Sequence, residues 1–239
     1  MKIVRLPAIL LTALLAVTGV LTIGAGPSSA APGCPDVQVV FARGTLEGGA
    51  PVGFTGQSFA AALDNRLAGK SVRTSAVRYP ASGNFNNRVA FVQNVVTGIR
   101  NAQAQILSTI RRCPGTDIVL GGYSQGAAVV AYAVADRFDI PAKYERYRSQ
   151  APDPLPSEVA RHISAVVLFG PPSARWLRDI GAPPIRTGGA YRGKTARYCN
   201  GGDNVCDGAP VGQPTAVHVL YSVDGTTVRA ADFSARRIR

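Results

Sequence analysis

Gly122-Tyr123-Ser124-Gln125-Gly126 sets a serine between two glycines, after the apolar run that begins at Ile118 and before the small apolar run Ala127–Val130. A strand that turns sharply into a helix leaves no room for side chains at its flanks, so glycine is required there. In that setting Gly-x-Ser-x-Gly lifts the hydroxyl above the strand end and points the next helix's N-terminus at it, as in a nucleophile elbow. Outside that setting the same five residues are a tight strand–helix turn with an incidental serine.

A serine hydroxyl is a weak nucleophile and needs a base, which in turn needs an orienting acid. Histidine is the usual base because it titrates near neutrality. The chain has two histidines, His162 and His218. His162 directly precedes the apolar run Ile163–Phe169, which puts it at the amino end of a strand, the edge opposite Ser124. His218 lies late in the chain, in the order Ser…Asp…His that this chemistry follows on α/β folds. The alternative for His218 is a half-buried histidine in an apolar segment.

The acid is sought among Asp136, Asp139, Asp153, Asp179, Asp203 and Asp207. Asp136 and Asp139 end the helix after the elbow, and Asp153 and Asp179 sit in excursions. Asp203 follows a short strand, so it leaves the same edge as Ser124, and it lies between Cys199 and Cys206. A short disulfide ring there would hold its carboxylate rigidly, as an orienting group requires. Asp207, one residue outside that ring, is the alternative. The backbone N–H of Gln125 is one oxyanion donor by geometry. Thr45, in the loop after the first strand, offers the second through its N–H and hydroxyl, or else is an ordinary turn residue.

Positioning these groups is the task of alternating strands and helices. Strands are expected at Val37–Ala42, Ser71–Tyr79, Thr116–Gly121, Ile163–Phe169 and Thr195–Cys199. Helices are expected at 57–67, at Arg88–Arg112, from the elbow to Arg137, and briefly around Pro214–Val223. Residues 139–157 and 175–187 read as Pro/Gly-containing excursions, and the last residues as a basic terminus. Strands that are continuously apolar predict a parallel sheet covered by helices on both faces. In such sheets the active site lies off the carboxyl ends of the strands.

The first thirty residues read as a secretory signal, with Lys2 and Arg5 before the apolar run Leu6–Ile23, and Ser28 and Ala30 before a cut. That leaves 31–239 as one domain. Two units of the formal charge of +12 depart with Lys2 and Arg5. The remaining basic surface favours anionic lipid or a cell-wall surface. Its basic residues are scattered, without a tract or aromatic ladder, so nucleic acid is not expected as a partner. Export makes two disulfides the default for Cys34, Cys113, Cys199 and Cys206. Three pairings are formally possible, and the simplest joins Cys199 to Cys206 and Cys34 to Cys113. The spacings lack paired Cys-x-x-Cys and histidines are few, so no metal is expected.

Four segments carry a family resemblance: Phe41-Ala42-Arg43-Gly44-Thr45-Leu46-Glu47, Gly121–Gly126, Val166-Val167-Leu168-Phe169-Gly170, and Tyr198-Cys199-Asn200-Gly201-Gly202-Asp203-Asn204-Val205-Cys206, with His218 beyond. The chain resembles the cutinase family, and within it the secreted cutinase-like esterases of mycobacteria and related actinobacteria. The resemblance implies an α/β-hydrolase with a central five-stranded parallel sheet and no large lid. It implies Ser124 as nucleophile, Asp203 as acid, His218 as base, and Thr45 with Gln125 as the oxyanion hole. It supports the two simplest disulfides.

The resulting expectation is a secreted, monomeric serine esterase without cofactor, acting on a lipid or polyester ester substrate. Val211, Pro214, Val217 and Val219 suggest an apolar rim that favours acyl chains longer than acetate. An acetylxylan-type esterase, a phospholipase or a thioesterase would share the same three residues. A non-catalytic wall-binding module is the reading from another class.

Overall fold

The computed structural model describes residues 33–239. The expected signal segment and its cut lie outside the described residues. The sheet has five parallel strands in the order β2-β1-β3-β4-β5. They are β1 (Val37–Ala42), β2 (Val72–Ala76), β3 (Asp117–Tyr123), β4 (Ile163–Phe169) and β5 (Thr195–Tyr198). The helices are α1 (Gly53–Arg66), α2 (Arg88–Arg112), α3 (Gln125–Ala133), α4 (Ala174–Ile180) and α5 (Thr226–Ala235). Among the described residues, no helix is long and apolar enough to cross a membrane.

Strand alternation divides the core in two. Val40, Ala42, Ile118, Leu120, Val166 and Leu168 face α2 and α3, where they meet Ile99, Ile106 and Val129. Val39, Phe41, Val119, Val167 and Phe169 face α1 and α5, where they meet Phe59, Leu63, Ala230 and Ala231. Every residue of β1, β3 and β4 is buried. Covering both faces is what removes the polar alternation from these strands.

β1 lies between β2 and β3, so the chain leaves β1 toward one neighbour and returns on its other side to form β3. This is the topological switch point, where ligands bind in open α/β sheets. Ala42 pairs with Gly122 there, at the carboxyl ends of both strands. The reversal from β3 into α3 is tight. A Cβ on Gly122 would come within 2.3 Å of the Gly126 carbonyl oxygen, and one on Gly126 within 2.0 Å of the Ala42 carbonyl oxygen. Both lie inside any allowed contact, so the glycines flanking Ser124 are set by sterics.

The structure revises several element bounds. β3 runs on through Gly121 and Gly122 to Tyr123, and α3 ends at Ala133, short of Arg137. α1 starts at Gly53, earlier than the apolar spacing suggests. The excursion after β4 contains α4, and the basic terminus folds as α5 against α1 and the sheet. The late helix expected around Pro214–Val223 is a 3-10 turn, Ala216–Ser222. The disulfides are Cys34–Cys113 and Cys199–Cys206. The first ties the entry to β1 to the end of α2 across 79 residues. Closing so long a loop is worth about 4–5 kcal/mol in the chain-entropy account.

Candidate active site

Ser124 sits between β3 and α3 with φ 53° and ψ −116°, a conformation that L-residues rarely adopt. Such strain persists only where surrounding structure over-determines it. Here the Ser124 N–H donates to the Phe169 carbonyl at 2.8 Å, the paired ends of β1 and β3 fix the entry to the turn, and the Ala128 N–H fixes its exit by donating to the Ser124 carbonyl at 3.2 Å. The hydroxyl is thereby held off the carboxyl edge.

His218 reaches that edge from the 3-10 turn Ala216–Ser222. Its Nε2 lies 2.9 Å from Ser124 Oγ, and its Nδ1 lies 2.9 Å from both carboxylate oxygens of Asp203. Asp203 is fully buried and His218 nearly so. With Asp203 accepting at Nδ1, the ring carries its proton there and turns the Nε2 lone pair toward the serine. Behind the ring, Tyr123 donates its hydroxyl to the His218 carbonyl at 2.7 Å and lies 5.0 Å away centroid to centroid.

Asp203 occupies the ring closed by Cys199–Cys206, with the Cys206 sulfur 3.1 Å from its Oδ2. Val205 N–H donates to Oδ1 at 3.0 Å and the Tyr221 hydroxyl to Oδ2 at 2.6 Å. Burial alone pushes the Asp203 carboxyl up. The hydrogen bonds from His218 and Tyr221, with smaller help from the His218 charge and Val205 N–H, outweigh it and hold the carboxyl below its ordinary value. Burial, then the bond to Asp203, pushes the Tyr221 phenol well up, so it remains a donor at any working pH.

The loop after β1 passes beside the serine: a Cβ on Gly44 would lie 3.5 Å from Ser124 Cβ. Thr45 follows, half-buried. Glu47 organises this loop, its two oxygens accepting from Gly44 N–H at 2.7 Å and Thr55 N–H at 2.9 Å. Its carboxylate thus ties the Thr45 loop to the first turn of α1, where negative charge is favoured. Gln125 is the first residue of α3, so its N–H has no intrahelical partner. Its side-chain amide is buried and meets no hydrogen-bond partner among the described residues.

The structure therefore brings Ser124, His218 and Asp203 into one hydrogen-bonded line, with Gln125 at its head and the Thr45 loop alongside. Asp207 stays outside, its carboxylate accepting from Ala209 N–H. His162 directly precedes β4, buried at the amino edge of the sheet and away from Ser124. Three contributors escaped the sequence: Tyr221, Tyr123 and Glu47. Glu47 had a readable signal, an acid just ahead of a helix start. The phenol contacts join residues far apart in sequence and leave no local pattern.

The parallel sheet, switch point and strained serine turn define an α/β-hydrolase, and comparison with known proteins narrows the class. The Cutinase family model matches residues 33–238. The chain belongs to the cutinase family and is an ester-bond hydrolase. It is 40% identical over 174 residues to a probable carboxylesterase, Culp7, of Mycobacterium tuberculosis, covering 73% of this chain and 89% of that one. It is 37% identical over 236 residues to the phospholipase Culp4 of the same organism, covering 98% and 92%. Among solved structures, Trichoderma reesei cutinase bound to a phosphonate inhibitor aligns with TM-score 0.62 and 32% identity, over 86% of this chain and 78% of that one. An acetylxylan esterase aligns with TM-score 0.66 at 22% identity, a likeness of fold.

Proposed function

We propose that this chain is a secreted serine carboxylic-ester hydrolase that cleaves short- to medium-chain fatty-acyl esters or polyesters through an acyl-enzyme. It would act as a monomeric single domain, residues 31–239, after loss of a signal segment. The carrying observation is the buried His218 ring, which meets Ser124 Oγ through one nitrogen and Asp203 through the other.

In this reading Ser124 Oγ attacks the ester carbonyl carbon as His218 Nε2 takes its proton. Asp203 holds the ring and stabilises the imidazolium. The carbonyl oxygen becomes an oxyanion beside the start of α3, accepting from the Gln125 N–H and from Thr45. Collapse breaks the ester C–O bond, and His218 returns the proton to the departing alcohol. Water then attacks the acyl-serine through the same base, releasing the acid and restoring Ser124. No step calls on a metal or cofactor.

Exposed apolar residues beside Thr45 and His218 in the chain support a fatty-acyl substrate. Leu46 adjoins Thr45 and is 78% exposed, and Val219 adjoins His218 and is 65% exposed. Leu220 and Val211 are exposed as well. An acyl chain lying on these side chains gains about 0.8 kcal/mol per methylene buried. That gradient favours chains longer than acetate over an acetylxylan-type preference. The relative named as a phospholipase makes phospholipid the second substrate class, and the basic surface suits it.

Two measurements test the proposal. A fluorophosphonate should label the wild-type protein and not Ser124→Ala. Absence of labelling on folded wild-type protein would favour a binding module. Across p-nitrophenyl esters, hydrolysis should hold or rise from acetate to hexanoate. A steep fall over that range removes the fatty-acyl reading, and phospholipid vesicles in parallel decide the second class.

A further inference from the structure

A second concentration of chemistry lies at the opposite edge of the sheet. Arg161, Ile163, Ser164, Lys194, Arg237 and Arg239 line a cavity of about 210 Å³. Ile163 opens β4, Lys194 directly precedes β5, and Asp117 opens β3, so the cavity sits at the amino ends of the strands. Seven residues of β3 separate that edge from the serine turn, about 23 Å at 3.3 Å per residue.

Among the described residues, Arg161, Lys194, Arg237 and Arg239 meet there beside the Asp117 carboxylate. Asp117 is already satisfied: Oδ1 accepts from Ser164 Oγ at 2.7 Å and from Arg239 Nε at 2.9 Å, and Oδ2 from Arg239 N–H at 2.8 Å. Among the described residues, Arg161, Lys194 and Arg237 form no ion pair with a carboxylate. Lys194 and Arg237 are nonetheless half-buried. Neutral groups pin them. Lys194 Nζ donates to the carbonyls of Ala160 at 2.8 Å and Ile163 at 3.0 Å, leaving its third proton free. The Arg237 guanidinium stacks 3.6 Å above the Phe233 ring and donates to the Phe233 carbonyl. Cations held in place, partly out of water and without counter-charge, form a preorganised anion receptor, since a low-dielectric concavity focuses their field.

The neighbouring His162 registers the same field. Burial first, then the Arg161 and Arg239 charges, hold its imidazole below the ordinary value, and Arg161 Nε donates to its Nε2. His162 is thus a neutral member of the cluster. The cavity volume equals that of about seven waters at ~30 Å³ each, room for a phosphate group and part of what carries it. Three guanidiniums, of which Arg239 already pairs with Asp117, and an ammonium suit a tetrahedral, multiply charged oxyanion better than a single carboxylate.

We propose that the cavity formed by Arg161, Lys194, Arg237 and Arg239 binds a phosphate group, at a site separate from ester hydrolysis. Occupied there, the protein keeps Ser124 open on the opposite edge.

The test titrates the full chain with inorganic phosphate at constant ionic strength, with chloride as the balancing salt, and follows heat of binding and thermal midpoint. Wild type should bind saturably and gain stability with phosphate. Arg161→Gln/Arg237→Gln should bind at least tenfold more weakly and hydrolyse a soluble p-nitrophenyl ester at the wild-type rate. Lys194→Gln is the second variant and should weaken binding in the same direction. A response that never saturates, that chloride reproduces, or that both variants retain in full overturns the proposal, because it reports only diffuse screening of a basic protein. Vesicles of phosphatidylglycerol and of phosphatidylcholine separate the sources. Binding to the former alone, lost in the double variant and competed by phosphate, identifies a lipid headgroup. Saturable phosphate binding with no such vesicle binding identifies a soluble or polymer-borne phosphate.

Discussion

The Tyr221 hydroxyl donates to Asp203 Oδ2 at 2.6 Å while accepting from the Asn200 N–H at 3.0 Å. The phenol thus links the residue after Cys199 to the carboxylate inside the disulfide ring, and it does so fully buried. A bond from a neutral donor to a buried charge is worth about 1.5–3 kcal/mol. Val205 N–H and His218 remain if it is lost, so Asp203 would keep its charge but not its fixed orientation.

Tyr221→Phe should therefore lower kcat/KM for a soluble ester by about tenfold, equivalent to about 1.4 kcal/mol of barrier. The loss should fall on kcat, and the acid limb of the pH–rate profile should move, because Asp203 acts through the His218 ring. An unchanged profile with a lower melting temperature would make Tyr221 a core residue and nothing more.

Glu47 yields a second prediction. Its carboxylate accepts from Gly44 and Thr55 N–H and so joins the Thr45 loop to α1. Glu47→Ala frees that loop without touching the serine, the histidine or the aspartate. Losing one oxyanion donor costs about 2.7–4 kcal/mol, which sets the upper limit. We expect a kcat loss of about tenfold to a hundredfold with unchanged fluorophosphonate docking, read by comparing kcat with the inhibitor's reversible binding step. A loss confined to KM would refute a role at the oxyanion.

What the sequence conveyed here follows from how local each signal was. β1 and β4 were legible because burial on both faces writes a near-continuous apolar run, broken only by Gln38 in β1 and Ser164 in β4. Ser124 was legible because sterics at Gly122 and Gly126 constrain neighbours in sequence. Asp203 and His218 followed from edge and order, and the family resemblance sharpened both. α5 was missed because its inward face is small and partly polar: Thr227, Ala230, Ala231 and Ser234 are buried, and Arg236, Arg237 and Arg239 directly after it make the end of the chain read as a basic terminus. α4 was hidden between prolines, although Ser173 caps it by accepting from Trp176 N–H. The amino-edge cations could not be read as a group, since β4, β5 and α5 bring them together only in three dimensions.

The Cys199–Cys206 ring gives a third prediction. A loop this short contributes about 2–3 kcal/mol in the chain-entropy account. Its more specific effect is to hold Asp203 against His218. In Cys199→Ser/Cys206→Ser, far-UV circular dichroism at 25 °C should stay near wild type while ester hydrolysis falls by more than tenfold. Parallel loss of both signals would assign the ring to stability alone.

Acid should act on the fold of this protein through Asp203. Its carboxyl lies below its ordinary 3.8 in the folded chain, so the unfolded chain binds that proton more readily. The stability this group contributes is fully present above 3.8 and drains away as pH falls through the lower folded value. Wild type should therefore lose denaturant-measured stability more steeply below 3.8 than Asp203→Asn, which has no carboxyl to protonate there. Equal slopes for the two proteins in that window would mean that Asp203 is not the group whose protonation opens the fold.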